Sequence, residues 1–287
     1  MGRRPPTVHG MVLIDKPAGM TSHDVVAQLR KRFGERRIGH AGTLDPDATG
    51  LLVVGVGNAT RLLRFAMSSF KTYEVEIVLG IETDTLDSSG QVVAEHQMLV
   101  EATQVTEAAR VLTGEIEQIP PMVSARRVGG RRLHELAREG KEVEREARSV
   151  TIRKFDIQAT ADPLIWRAVI DCSAGTYIRT LGADLGTALQ GGAHIRNLRR
   201  IQSGVFGIQE SDAILEAPLQ PVLELVRGLD RMVLTDQEVA VVQNGGRLRQ
   251  ERMAGAGPWA LTDSSENLIA VHEKIDERVV VGVVLPN

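Results

Sequence analysis

The chain has 287 residues, 43% of them apolar and 25% charged, and its formal net charge is −3. This is globular composition, enough for a sizeable core in one large domain with a smaller companion. It excludes a disordered chain, and no apolar run approaches the roughly 18 residues that a membrane span needs. The single cysteine, Cys172, excludes an internal disulfide and reads as a buried packing residue; the seven histidines show no zinc-site spacing, so no metal site is expected. No apolar segment of signal-peptide type opens the chain, which points to the cytoplasm.

Met11 to Ile14 reads as a strand, and a Lys16-Pro17 turn leads into TSHDVVAQLRKRFG. That segment is a helix: Thr21 and Asp24 make a capping-box start, Val25, Val26, Leu29 and Phe33 share a face, and Gly34 ends it. LLVVGVG at 51–57 is a buried strand, and NATRLLRFAMSS a helix begun by Asn58. KTYEVEIVLG alternates, with Tyr73, Val75, Ile77 and Leu79 on one face. TDTLDSSGQVV turns into a further strand, and a helix starting at Thr103 ends near Gly114. Residues 120–150 change character, with two prolines, a glycine pair between arginine pairs and then alternating charge, and read as a mobile insertion. VTIRKFDIQAT and LIWRAVIDCS are strands, and GTYIRTLGADLGTAL is a helix with Ile178, Leu181, Leu185 and Leu189 on one face. From about Met232 the chain restarts with a capped helix, TDQEVAVVQNGG, a hairpin over WALTDSSENLIAVHE and a last strand, RVVVGVVLP. Strands and helices do not alternate regularly. The expected fold class is therefore α+β, a mixed, largely antiparallel sheet with flanking helices over 1–230 and a small β-rich domain over 231–287.

Chemistry concentrates in GHAGTLDPDATG at 39–50. Asp45-Pro46 suits a type I turn, but a residue before proline is also biased to an extended conformation that can aim a carboxylate into a cleft. Asp47, after the proline, is expected in solvent. A nucleophilic carboxylate must stay ionised where water is excluded, and a guanidinium offsets the cost; Arg179 is the candidate cation. The only tyrosines are Tyr73 and Tyr177. Arginines cluster at 30–37, at 126–132 and at 196–200, and together suggest a surface that tracks phosphates.

These segments, GHAGTLDP, ATGLL, GNATR, KTY and GTYIR, occur in the order found in bacterial tRNA pseudouridine-55 synthases of the TruB type, which the chain resembles from about residue 10 to 210. LIDKPAGMTS and GAHIRNLRR are similar to that family too. The resemblance implies a pseudouridine synthase fold, a PUA-like RNA-binding domain at the C-terminus, and isomerisation of one uridine, position 55 in the T-arm of tRNA, by base flipping, without a cofactor. Carried over, Asp45 is the nucleophile, Arg179 its ion-pair partner, and Tyr73 the ring that stacks on the target base and is implicated in proton removal. His40 helps to extrude the base, Tyr177 supports the floor of the site, Leu198 matches the apolar wall, and Lys16-Pro17 braces the site. Arg126, Arg127, Arg131 and Arg132 on the insertion are expected to close over the RNA. Val123 and Arg127 stand where many members carry tyrosine and lysine. The expected partner is a tRNA T-stem-loop, with no membrane, bound by a monomer. Rival readings are an RNA-folding chaperone and a nucleotide-binding enzyme, the latter suggested by VVGVGNATR without the lysine-serine ending of a P-loop.

Overall fold

Continuous apolar runs and apolar alternation account for the main strands. The computed structural model describes residues 5–67, 70–122, 127–128, 131–132, 143–248, 252–253, 255–276 and 278–286. The first half of the chain runs β1 (Gly10–Lys16), α1 (Ser22–Phe33), β2 (Ile38–His40), β3 (Thr49–Val56), a 3-10 turn (Gly57–Arg61), α2 (Leu63–Met67), β4 (Lys71–Leu79), β5 (Ile81–Thr83), β6 (Val92–Glu95), α3 (Ala102–Val111) and β7 (Gly114–Gln118). Then follow β8 (Arg127–Val128), β9 (Arg131–Arg132), β10 (Arg148–Ala159), β11 (Ile165–Cys172), α4 (Ile178–Ala188), β12 (Ala193–Ser203) and β13 (Phe206–Gly207). The C-terminal part holds β14 (Asp230–Val233), α5 (Asp236–Gln243), β15 (Trp259–Thr262), β16 (Leu268–Ile275) and β17 (Arg278–Val284).

Two compact units result. One contains Met1–Pro46, Gly50–Ser69 and Ser203–Asn287, the other Asp47–Thr49 and Phe70–Gln202. In the first, β3 pairs antiparallel with both β1 and β2. The runs MVLI and LLVV are apolar without interruption because both faces of these strands are covered. Val12, Ile14, Leu52 and Val54 pack with Val25, Val26 and Leu29 of α1. Met11, Leu13, Leu51 and Val53 turn the other way, onto Leu62, Leu63 and Ala66 and onto Ala260, Leu268, Val271 and Val283 of the C-terminal sheet. Each Val, Leu, Ile or Met side chain so removed from water contributes about 1.5–3 kcal/mol. That sheet has the order β14-β15-β16-β17, with β14 parallel to β15 and the rest antiparallel. Arg61 Nη1 donates to the Val284 carbonyl at 2.5 Å and Arg64 pairs with Glu273, tying the residues around α2 to β16 and β17.

The second unit is built on the strand order β12-β4-β11-β10-β7. Tyr73, Val75 and Ile77 of β4 are buried, with Trp166, Ala168, Ile170 and Cys172 of β11, while Glu74 and Arg167 are exposed, so the alternation of KTYEVEIVLG reads as a half-covered strand. α3 and α4 pack on each other, and α3 packs on β10.

The expected antiparallel sheet and α+β class hold. Two helix starts differ from expectation. Asn58 is the second residue of the 3-10 turn rather than a cap, and its backbone N–H donates to Nδ1 of His9 at 3.1 Å, so that donor needs no side-chain cap. α3 begins before Thr103, with Glu101 and Gln104 forming the capping box. Among the described residues no helix is long and apolar enough to cross a membrane.

Candidate active site

In the first unit the loop between β2 and β3 carries Asp45, and three neighbours fix it. Lys16, at the end of β1 and fully buried, donates from Nζ to the carbonyls of Pro17 (2.8 Å), Met20 (2.6 Å) and Pro46 (3.0 Å). The Pro46 carbonyl also accepts the Met20 N–H at 3.3 Å. On the other side of Asp45, the Ser22 hydroxyl accepts from the Leu44 N–H at 2.9 Å and donates to the Leu44 carbonyl at 3.2 Å. Gly42 (φ 93°) and Gly50 (φ 100°) bracket the loop in a backbone region that side chains disfavour. Leu44 and Ala48 are buried, Asp45 is half-buried and Asp47 is exposed, as expected for that residue. Asp45 lies in an irregular stretch, and Pro46-Asp47 forms the bend after it. His40, the last residue of β2 and opposite Val54, meets the ring of His23 edge to face with centroids 5.6 Å apart.

In the second unit Tyr73 lies on β4 opposite Ile170 and is buried. Lys71, two residues before it, is buried too; desolvation, and then the cation of Arg200, pull its pKa down to about 8. Arg179 sits in the first turn of α4 at 5% exposure. Its Nη1 donates to the Thr85 carbonyl at 3.0 Å and its Nε faces Oδ2 of Asp87 at 3.6 Å. Asp87 is itself held: Oδ1 accepts from the hydroxyls of Thr85 (2.7 Å) and Ser89 (2.5 Å) and from the Ser89 N–H (3.1 Å). Tyr177 precedes α4 as its N-cap residue, without a side-chain cap. The buried Gln118 amide instead binds the backbone of Tyr177 itself, accepting from its N–H at 3.0 Å and donating to its carbonyl at 3.3 Å. Leu198 is half-buried on β12.

Arg126 and Val123 lie outside the described residues. Arg127 and Arg132 face each other in the short β8–β9 ladder, with Arg131 opposite Val128. The insertion springs from two paired strands, Arg148 lying opposite Gln118, and Arg145 Nη1 donates to the Pro120 carbonyl at 3.1 Å. Not every arginine cluster is an open phosphate track. Arg30 donates to the carbonyls of Arg36 and Ile38, and Arg32 to that of Ile214. Arg200 is buried, and Arg196 is engaged by Glu76 at 2.8 Å. Cys172 is buried, and desolvation pushes its thiol up to about 12, which keeps it from acting as a nucleophile at neutral pH.

Sequence patterns alone do not single out Ser22, Gln118 or Asp87. Asp87 offered a signal, since TDTLDSSG is denser in short polar side chains than a plain turn requires. Ser22 and Gln118 act on residues 22 and 59 positions away, which leaves no local trace.

The model of the TruB family pseudouridylate synthase N-terminal domain matches residues 30–178, and that of the tRNA pseudouridylate synthase B C-terminal domain matches residues 179–235. Relatives called tRNA pseudouridine synthase B include one from Bacillus anthracis, 38% identical over 284 residues, covering 93% of this chain and 92% of the relative. Another, from Mycobacterium bovis, is 43% identical over 277 residues and covers 91% of each. A solved structure described as a Cbf5-Nop10-Gar1 complex shares the fold, with a TM-score of 0.73 and 24% identity over 97% of this chain and 84% of that one. The chain thus belongs to the TruB family of pseudouridylate synthases, and it is an enzyme that isomerises uridine in tRNA.

Proposed function

We propose that the substrate uridine is position 55 in the T-arm of tRNA, that it is flipped out of its stack, and that Asp45 is the nucleophile. The observation that carries this reading is the fixed backbone around Asp45, with Leu44 held by Ser22 and Pro46 held by Lys16 while the carboxylate-bearing residue itself is half-exposed. Proline at 46 removes a further freedom, so the carboxylate is aimed before substrate arrives. Arg179 is its ion-pair partner, keeping it ionised away from water. Tyr73 stacks on the flipped base, Leu198 walls it, Tyr177 supports the floor, and His40 assists extrusion. Flipping costs a few kcal/mol, regained through stacking and phosphate contacts.

Covalent attack by the carboxylate splits the reaction into two easier steps. The bond from C1′ to N1 breaks, the held base turns, and C1′ bonds to C5. C5 gives up a proton and N1 gains one, so atoms and electrons balance with no redox partner. Arg126, Arg127, Arg131 and Arg132 on the insertion bind the RNA backbone, residues 231–287 act as a PUA-like RNA-binding domain, and the enzyme works as a monomer in the cytoplasm, where its substrate is. Asp45→Asn is expected to abolish product while tRNA affinity stays near wild type, read by nucleoside mass mapping of an unmodified T-arm and by a binding titration. Retained turnover would exclude Asp45 as nucleophile.

A further inference from the structure

We propose that Ser22 is a positioning residue for the reaction, acting through the backbone of Leu44 to set the aim of Asp45; this deepens, and rests on, the reading of Asp45 as nucleophile. Two adjacent hydroxyls open α1, and they have separate tasks. Thr21 is the N-cap, and its hydroxyl accepts the Asp24 N–H at 3.1 Å in a capping box, so helix initiation makes no demand on Ser22. Ser22 is 1% exposed, and both of its hydrogen bonds go to Leu44. A hydroxyl offers one donor and two acceptor sites, so a single Oγ can satisfy the N–H and the carbonyl of one residue, as a partner strand would.

The consequence falls on Asp45. The Leu44 carbonyl belongs to the peptide plane that joins Leu44 to Asp45, and that plane is one of the two references for φ of Asp45. On the far side, proline fixes its own φ and the Pro46 carbonyl is held by Lys16 and the Met20 N–H. Loss of the Ser22 hydroxyl frees the first plane and leaves the second in place. The carboxylate then swings rather than the loop unfolding, and a misplacement of about 1 Å costs about 100-fold in rate.

The test uses the full chain with Ser22→Ala, Ser22→Cys and Ser22→Thr beside Asp45→Asn, on an unmodified T-arm transcript. Binding and single-turnover rate at saturating enzyme are measured separately, and each rate is normalised to the folded fraction. Ser22→Ala and Ser22→Cys, the latter nearly isosteric but a weak hydrogen-bonding group, should bind RNA like wild type and turn over about 10- to 100-fold more slowly. Ser22→Thr, which keeps the hydroxyl, should restore most of the rate. If Ser22→Ala does not fold, the contrast between the cysteine and threonine variants decides. An unchanged normalised rate in Ser22→Ala or Ser22→Cys, or a loss confined to RNA affinity, would overturn the proposal. Turnover by Asp45→Asn would instead overturn the reading beneath it.

Discussion

A guanidinium at 5% exposure needs acceptors, and the Thr85 carbonyl and the Asp87 carboxylate serve Arg179 within its own unit. The approach to Asp87, 3.6 Å from Nε, is longer than a charge-assisted hydrogen bond, whereas Oδ1 of Asp87 is tightly bound by Thr85 and Ser89. Asp87 therefore acts as a fixed anion beside the guanidinium rather than a bidentate clamp on it, which orients Arg179. His272 on β16 shows the opposite economy. It is fully buried opposite Trp259, and neither ring nitrogen has a hydrogen-bond partner among the described residues. Burial, reinforced by Arg247, holds its pKa below the ordinary 6.5. The unfolded chain therefore binds a proton at His272 more readily than the folded one. Its contribution to stability is complete above about pH 6.5 and is lost as pH falls from there through the folded pKa, at up to about 1.4 kcal/mol per pH unit. Urea midpoints between pH 7 and pH 5 should fall more steeply for wild type than for His272→Leu. Parallel slopes would show that the imidazole is hydrated or paired in solution.

Helix α4 is the element on which Arg179 depends, and its N-terminus is closed from outside. A helix leaves its first N–H groups without intrahelical partners, and Tyr177 has no capping oxygen of its own. Gln118, from the end of β7, binds both the N–H and the carbonyl of Tyr177. Gln118→Leu keeps much of the volume but leaves the Tyr177 N–H unmet, while the carbonyl keeps the Leu181 N–H at 3.1 Å, at a cost of about 1–3 kcal/mol. We expect a lower urea midpoint together with a slower single-turnover rate, because α4 would start in a less defined place; a drop in stability with the rate unchanged would mean that Arg179 is positioned without this contact. Such devices bound what a single sequence can reveal. The capping box at Thr21 and Asp24, the alternation of β4 and the β15–β16 hairpin are local patterns and can be read directly. β12 could not. AHIRNLRRIQS has no apolar alternation, since His194 and Arg200 are buried and Asn197 takes φ 55°, so it stands out only as an arginine cluster and a family motif. Asn58 and Thr103 were plausible caps by type, but the first lost that role to a distant histidine and the second to a neighbouring capping box. Of the residues proposed for the site, Asp45 stands out in a long motif, and Tyr73 and Arg179 in short ones that follow it in the family's order. Ser22 and Gln118 were not, because their partners are close only after folding.

Across the whole molecule, a net charge of −3 cannot supply general affinity for RNA, so binding must rest on local cations. Several arginines are already engaged: Arg30 and Arg32 by backbone carbonyls, Arg196 by Glu76, and Arg200 by burial. Two further sets of cations from the clusters can be compared, the exposed Lys31, Arg36 and Arg37 and the insertion arginines Arg126, Arg127, Arg131 and Arg132. The insertion is anchored at its base by the β7–β10 pairing and by Arg145 on the Pro120 carbonyl, which gives its cations a defined root. Each phosphate contact contributes about −0.7 to −0.9 to the slope of log affinity against log salt. Replacing all four insertion arginines by glutamine should therefore weaken T-arm binding and flatten that slope by about 3 units, with the single-turnover rate at saturating enzyme unchanged, since uniform binding is lost and no transition-state contact is. Replacing Lys31, Arg36 and Arg37 by glutamine is the matched control and should flatten the slope by less. If the control flattens it and the insertion variant does not, the RNA backbone follows the α1–β2 corner of the first unit, and closure of the insertion over the substrate has no electrostatic basis.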